Sequence, residues 1–244
     1  MTVLLRLMLE YEGTEFHGWA RQPGLRTVEG VLNEALDRVF PSWQGLAVAG
    51  RTDAGVHALA QVASVEVEGG PPPEHAAEAL NAVLPADLAA VAAAPAPPGF
   101  NARFSARSRS YRYRINRRPV PSPFEARRSW WLPRPLDEER LAASAALLLD
   151  EHDFRAFTPT ETQHRAFART VERAEWRRDG DGLDFEITAD SFLRHMVRAL
   201  VGTMVESEPE ELAALLAGAP RTHAGRTAPA WGLYLVGVAY DPEP

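Results

Sequence analysis

The sequence predicts an α+β protein made of two ferredoxin-like (βαββαβ) halves that share a largely antiparallel sheet with a central cleft. Three observations lead there. Apolar and polar residues alternate with period 2 over Leu59–Val67 and again towards the end of the stretch Phe100–Arg114, the mark of half-buried strands. Strand-like and helix-like segments follow one another in the same order twice along the chain. Between the two runs lies Pro95-Ala96-Pro97-Pro98-Gly99, which continues neither helix nor sheet and sets a boundary between residues 1–97 and 98–244.

The first half opens with a strand at Val3–Tyr11. A helix at Thr27–Phe40 follows, its start loosely of capping-box form in Thr27-Val28-Glu29-Gly30. Strands at Gln44–Ala49 and Leu59–Glu68, a helix at Pro73–Val83 and a strand at Asp87–Ala94 complete the unit. The second half gives a strand at Ser108–Asn116, a helix at Leu136–Asp150 and a strand at Arg169–Arg178. The turn Asp179-Gly180-Asp181-Gly182 leads into a strand at Leu183–Ala189. Helices at Ser191–Val205 and Pro209–Ala217 and a closing strand at Leu233–Tyr240 repeat the βαββαβ order, without any repeat of sequence.

At 244 residues the chain buries about three quarters of its unfolded surface, whether as one large domain or two small ones. It contains no cysteine and no lysine. Disulfides, thiol nucleophiles, thiolate zinc sites, Schiff-base lysines and the lysine of a P-loop are therefore excluded. The N-terminus lacks the basic start and cleavage site of a signal peptide, and no uncharged apolar run reaches membrane-spanning length, so a cytoplasmic protein without membrane association is expected. The net charge of −7 argues against nucleic acid, but its distribution reverses that argument. From Leu88 to Phe124 there is no acidic residue, while Arg103, Arg107, Arg109, Arg112, Arg114, Arg117 and Arg118 are all basic. One face can be strongly positive while the whole chain stays acidic.

The candidate for chemistry is Asp53, in Gly50-Arg51-Thr52-Asp53-Ala54-Gly55-Val56-His57-Ala58, a glycine-bracketed turn between two apolar strands. A free Asp titrates near ~3.9, so its carboxylate is already ionised at neutral pH and needs a cation such as Arg51 for positioning more than for deprotonation. On spacing alone Asp53 reads better as an Asx-turn residue than as a reactive group. In Ser191–Gly202, Phe192, Met196, Ala199 and Leu200 fall on one helical stripe, with Arg194 and Arg198 one turn apart on an adjacent face that spacing alone reads as a solvated flank. In Ser108–Asn116, Tyr111, Tyr113 and Ile115 face one side and Arg112 and Arg114 the other. That pattern suits base stacking with phosphate contact, and equally a half-buried strand with a charged outer face. The seven histidines (His17, His57, His75, His152, His164, His195 and His223) show no metal-ligand spacing, and there is no GxGxxG.

On these motifs the chain resembles the TruA-type tRNA pseudouridine synthases. The nonapeptide around Asp53, the stretch Phe100–Arg114, the segment Phe192–Arg198, the run Tyr11–Gln22 and the closing Ala228–Leu235 match the family in order, with Ala20 where a glutamine is usual. The resemblance implies that Asp53 is the nucleophile, that Arg198 pairs with it and that Tyr111 packs on the target base. It also implies a substrate site made by Tyr111, Arg51, Arg112, Arg114 and Leu233. The expected partner is the anticodon stem-loop of tRNA, bound by a homodimer, with no cofactor and no metal. The target uridine must leave the stack to be reached. Two other readings stand beside this one. A non-catalytic RNA-binding module of tandem ferredoxin-like units would make Asp53 a turn residue. A phosphotransferase with an aspartyl intermediate would need Mg²⁺ and further carboxylates, which the loop lacks.

Overall fold

The computed structural model describes residues 2–162 and 165–241. Two compact units make up the chain: the first takes it as far as Arg109 and again from Leu235, and the second is Ser110–Tyr234. The division falls inside a strand, downstream of the proline-rich run at Pro95–Gly99.

In the first unit, strand β1 (Thr2–Tyr11) buries Leu5, Leu7, Leu9 and Tyr11 on alternate positions, as a strand with one core face must. Helix α1 (Val28–Val39) starts at the N-cap Thr27, whose hydroxyl accepts from the Gly30 N–H, and buries Val28, Leu32, Ala35 and Leu36. Strands β2 (Ser42–Val48) and β3 (His57–Glu68) follow, then α2 (Pro73–Asn81), which turns Ala76 and Leu80 inward, and β4 (Leu88–Pro95). β1 lies between β3 and β4, antiparallel to both, and β2 pairs antiparallel with β3. The chain's last strand, β10 (Leu233–Tyr240), pairs with β3, giving the order β4-β1-β3-β10.

The second unit begins within β5 (Ala106–Asn116). It continues through β6 (Trp130–Trp131), α3 (Glu138–Ala146), β7 (Asp150–Asp153), β8 (Ala168–Asp179), β9 (Gly182–Ala189), α4 (Met196–Glu206) and α5 (Pro209–Leu216). Its strands run β5-β9-β8-β7. The β7–β8 and β8–β9 pairs are antiparallel, and β6 lies parallel to β5. Phe154, Phe157, Phe185, Leu141, Leu200, Met204 and Leu212 are almost fully buried. The first unit thus carries the βαββαβ order, whereas the strand expected to close the second half, β10, belongs from Leu235 onward to the first unit.

Two expected helices differ from the structure. The one expected to run to Asp150 stops at Ala146, because Asp150 takes φ +73° and opens β7. The one expected from Ser191 begins only at Met196: its N-cap His195 is left-handed, φ +63°, which a right-handed helix cannot contain. Arg194 therefore sits in the preceding turn, not one helical turn from Arg198. No helix of the described residues is long and apolar enough to cross a membrane.

Candidate active site

The loop from Gly50 to Val56 carries Asp53 half-buried between exposed Arg51 and Ala54, while Thr52 beside it is buried. Three elements hold that conformation. The Tyr11 hydroxyl at the end of β1 shares a 2.7 Å hydrogen bond with Thr52 Oγ1. Gln61 of β3 donates from Nε2 to the Gly50 carbonyl at 2.7 Å and to Tyr11 Oη at 3.3 Å. Tyr11 is fully enclosed, and burial pushes its phenol up to about 12, so it stays protonated and neutral.

The run Tyr11–Gln22 folds against the same loop. Trp19 N–H donates to the Thr52 carbonyl at 3.0 Å, Gly55 N–H to the Phe16 carbonyl at 3.2 Å, and Gly13 N–H to His57 Nδ1 at 2.9 Å. This contact requires glycine at two positions. A Cβ on Gly13 would lie 2.0 Å from the Val56 carbonyl oxygen, and Gly18 combines φ +86° with a Cβ position 2.8 Å from the Thr52 carbonyl oxygen. Ala20, where the family's glutamine would stand, is half-buried. The root of the loop is gripped by Arg109, whose Nε and Nη2 both donate to the Ala49 carbonyl, at 3.0 and 2.9 Å. The first unit therefore presents one carboxylate on a backbone fixed from both sides by neutral groups and one guanidinium.

In the second unit, Tyr111 lies buried on the inner face of β5 with Tyr113 and Ile115, as the alternation requires, and meets the Phe192 ring edge-on at 5.0 Å. Arg198, in the first turn of α4, donates from Nε to the Ala228 carbonyl at 2.8 Å, and Ala228 N–H returns a bond to the Arg198 carbonyl at 3.0 Å. Tyr113 Oη donates to the Pro229 carbonyl at 2.9 Å, with Gly232 against its ring and Leu233 buried next along the chain. Burial raises the Tyr113 phenol, against the pull of Arg198 and Arg226. The structure thus gathers Arg198, Tyr113 and the closing motif Ala228–Leu233 into one cluster.

The expected open track of seven arginines is modified. Arg112 binds Glu186 at 2.9 Å with Asp184 at 3.7 Å, Arg114 binds Glu125 at 3.2 Å with Asp184 at 4.0 Å, and Arg117 binds Glu138 at 2.9 Å. Arg107 pairs with Asp241, and Arg109 caps carbonyls. The carboxylates lie outside the stretch, from Glu125 just past its end to Asp241, so four of its arginines meet acids that the stretch itself lacks. Burial pushes Asp184 up to about 6 despite Arg114 and Arg112 beside it. Among the described residues no three His, Asp or Glu side chains group as metal ligands would, and His164 lies outside them.

Sequence reasoning missed Tyr11, Gln61 and Arg109 as supports of the loop. Their partners stand 41, 11 and 60 residues away along the chain. Only the recurrence of Tyr11 at the start of a matching motif hinted at one of them.

Known proteins resemble this chain over most of its length. A family model described as tRNA pseudouridine synthase matches residues 7–105 and 145–241. Proteins named tRNA pseudouridine synthase A from Moorella thermoacetica, Frankia casuarinae and Thermus thermophilus are 43%, 45% and 45% identical to the chain. These alignments cover 97%, 99% and 98% of this chain and 99%, 91% and 97% of those relatives. The Asp53 loop and α4 with the closing motif lie within the residues matched by the family model, β5 begins directly after its first segment, and the chain belongs to the tRNA pseudouridine synthase family.

Proposed function

We infer that this isomerase converts uridine to pseudouridine in the anticodon stem-loop of tRNA, with Asp53 as the nucleophile. The observation that carries the reading is the Asp53 loop itself: a half-buried carboxylate on a backbone fixed by Tyr11, Thr52, Gln61 and Arg109. The reaction breaks the C1′–N1 glycosidic bond, turns the uracil and forms a C1′–C5 bond. C5 loses a proton and N1 gains one, so atoms and electrons balance within one nucleotide. The carboxylate attacks ribose C1′ or uracil C6, or takes the C2′ proton. Each route needs an ionised Asp53 in a fixed place.

Tyr111 then stacks on the flipped uracil, Leu233 lines the uridine pocket, Arg51 contacts the substrate and Arg198 orients Asp53. Arg112 and Arg114 were expected to reach phosphate, and their salt-dependence decides whether they do so from within their ion pairs. The acting form is a cytoplasmic homodimer. Incubating the purified protein with unmodified tRNA in EDTA, followed by nucleoside analysis, tests the reading. Pseudouridine confined to the anticodon arm is expected. Tight tRNA binding with no pseudouridine would instead select the non-catalytic RNA-binding module.

A further inference from the structure

Between the proline-rich run and β5 the chain makes a short turn, Asn101–Ser105, whose backbone is among the most heavily tied in the first unit. Asn101 Oδ1 accepts from the N–H groups of Arg103 and Phe104 at 3.0 and 3.1 Å. Asn101 N–H donates to Ser105 Oγ at 3.0 Å, and Ser105 N–H returns to the Asn101 carbonyl at 2.9 Å. Ala102 is held from both sides: its N–H donates to Ser64 Oγ at 3.0 Å and its carbonyl accepts from Tyr240 Oη at 2.8 Å. The Arg103 carbonyl accepts from Arg109 Nη2 at 2.7 Å. The same guanidinium binds Ala49, at the root of the Asp53 loop.

On this rigid support the side chains point outward. Phe104 is 80% exposed, although Ala102 two residues earlier is fully buried. Where other arginines of the segment face carboxylates, Arg103 lies over the Phe104 ring, 5.5 Å from its centroid, and is itself exposed. A loose loop exposes an aromatic ring by accident. A turn fixed by seven hydrogen bonds exposes it by construction, and an uncovered phenyl beside a guanidinium is the pairing that takes a base face and its phosphate together.

We propose that the Asn101–Ser105 turn is an RNA-stacking platform in which Phe104 takes the face of an unpaired nucleobase and Arg103 the adjoining phosphate. The inference rests on the tRNA reading above and deepens it. Because Arg109 joins the turn to Ala49, the platform sets the RNA in the same rigid frame as Asp53.

The test begins with the wild-type protein and an unmodified tRNA transcript. Formation of pseudouridine there tests the tRNA reading alone, and its absence would count against that reading and not against the platform. Phe104→Ala and Phe104→Leu are then titrated with the transcript, alongside Phe104→Tyr. A stacking ring predicts roughly 5- to 150-fold weaker binding for both Ala and Leu, and near-normal binding for Tyr, since only Tyr keeps an aromatic face. The salt slope stays unchanged in these variants but falls by about one in Arg103→Gln. Melting temperatures match wild type, because the ring is exposed. Binding unchanged in Phe104→Ala would overturn the proposal. So would sedimentation showing that Ala and Leu break a dimer while tRNA affinity holds, which would assign the ring to an interface between copies.

Discussion

The Asp53 loop and the outer face of β5 are both dense in polar groups, yet they are held by opposite means. A phenol, a hydroxyl, an amide and backbone groups fix the loop, and the one guanidinium that grips its root, Arg109, does so through a neutral carbonyl. On β5 guanidinium meets carboxylate, Arg112 with Glu186 and Arg114 with Glu125, around a buried Asp184. Neutral hydrogen bonds act over a short range and only in narrow geometries, so they set position. Ion pairs at half-exposed sites contribute ~0–1 kcal/mol and tolerate displacement, so they compensate charge. Asp53, the proposed nucleophile, belongs to the region built for position.

Removing that carboxylate gives the largest effect. Asp53→Asn should reduce pseudouridine formation by roughly a thousandfold or more, with tRNA affinity within a few-fold of wild type, because phosphate contacts supply most of the affinity. Measurable turnover, after deamidation is ruled out, would sink the assignment.

Next comes the support. Tyr11→Phe leaves Thr52 Oγ1 without its 2.7 Å partner. It should cost about 1–2 kcal/mol in denaturant unfolding and lower kcat about tenfold with KM little changed. A loss confined to stability would show that the loop keeps its geometry without the phenol.

The β5 network should answer to pH. Asp184 is raised to about 6 in the folded state against an ordinary value of 3.8, so between those values the folded protein holds a proton that the unfolded chain has released. Its contribution to stability therefore falls as pH rises through that window, and the penalty is fully present above about 6. Asp184→Asn should flatten the stability profile there, as followed by thermal melting at stepped pH.

The smallest effects are expected of the arginines themselves. Arg112→Gln and Arg114→Gln should each lower stability by ~0.5–1 kcal/mol, less at high salt, and leave the salt slope of tRNA binding unchanged. A slope reduced by about one would place that residue on phosphate.

Much of the fold was legible in the sequence because it is written in local periodicity. β1 and β5 follow their alternation, β3 departs from it by burying both faces over Gln61–Val65, and α1 starts at the Thr27 cap that its sequence announces. What local pattern could not reveal are backbone choices made by single residues: the left-handed Asp150 and His195 cut two expected helices short, although neither is a glycine. The site divides likewise. Asp53 stood out through its motif, but Gln61 looked like one more residue of a strand and Arg109 like part of a basic track. Their roles exist only once Gly50 and Ala49 are folded against them.

The strand β10 closes the first unit with residues that follow the whole second unit along the chain. Val238 and Tyr240 cover the cluster of Ala49, Val62 and Ala102, and β10 supplies a partner for β3. All of the second unit is translated before these residues appear. While the ribosome makes it, the first unit waits with an open sheet edge and an uncovered apolar patch, the state most prone to wrong pairing. A stop codon that removes only this last strand would therefore strike the unit that carries Asp53 and would also take Leu233 and Tyr234 from the second.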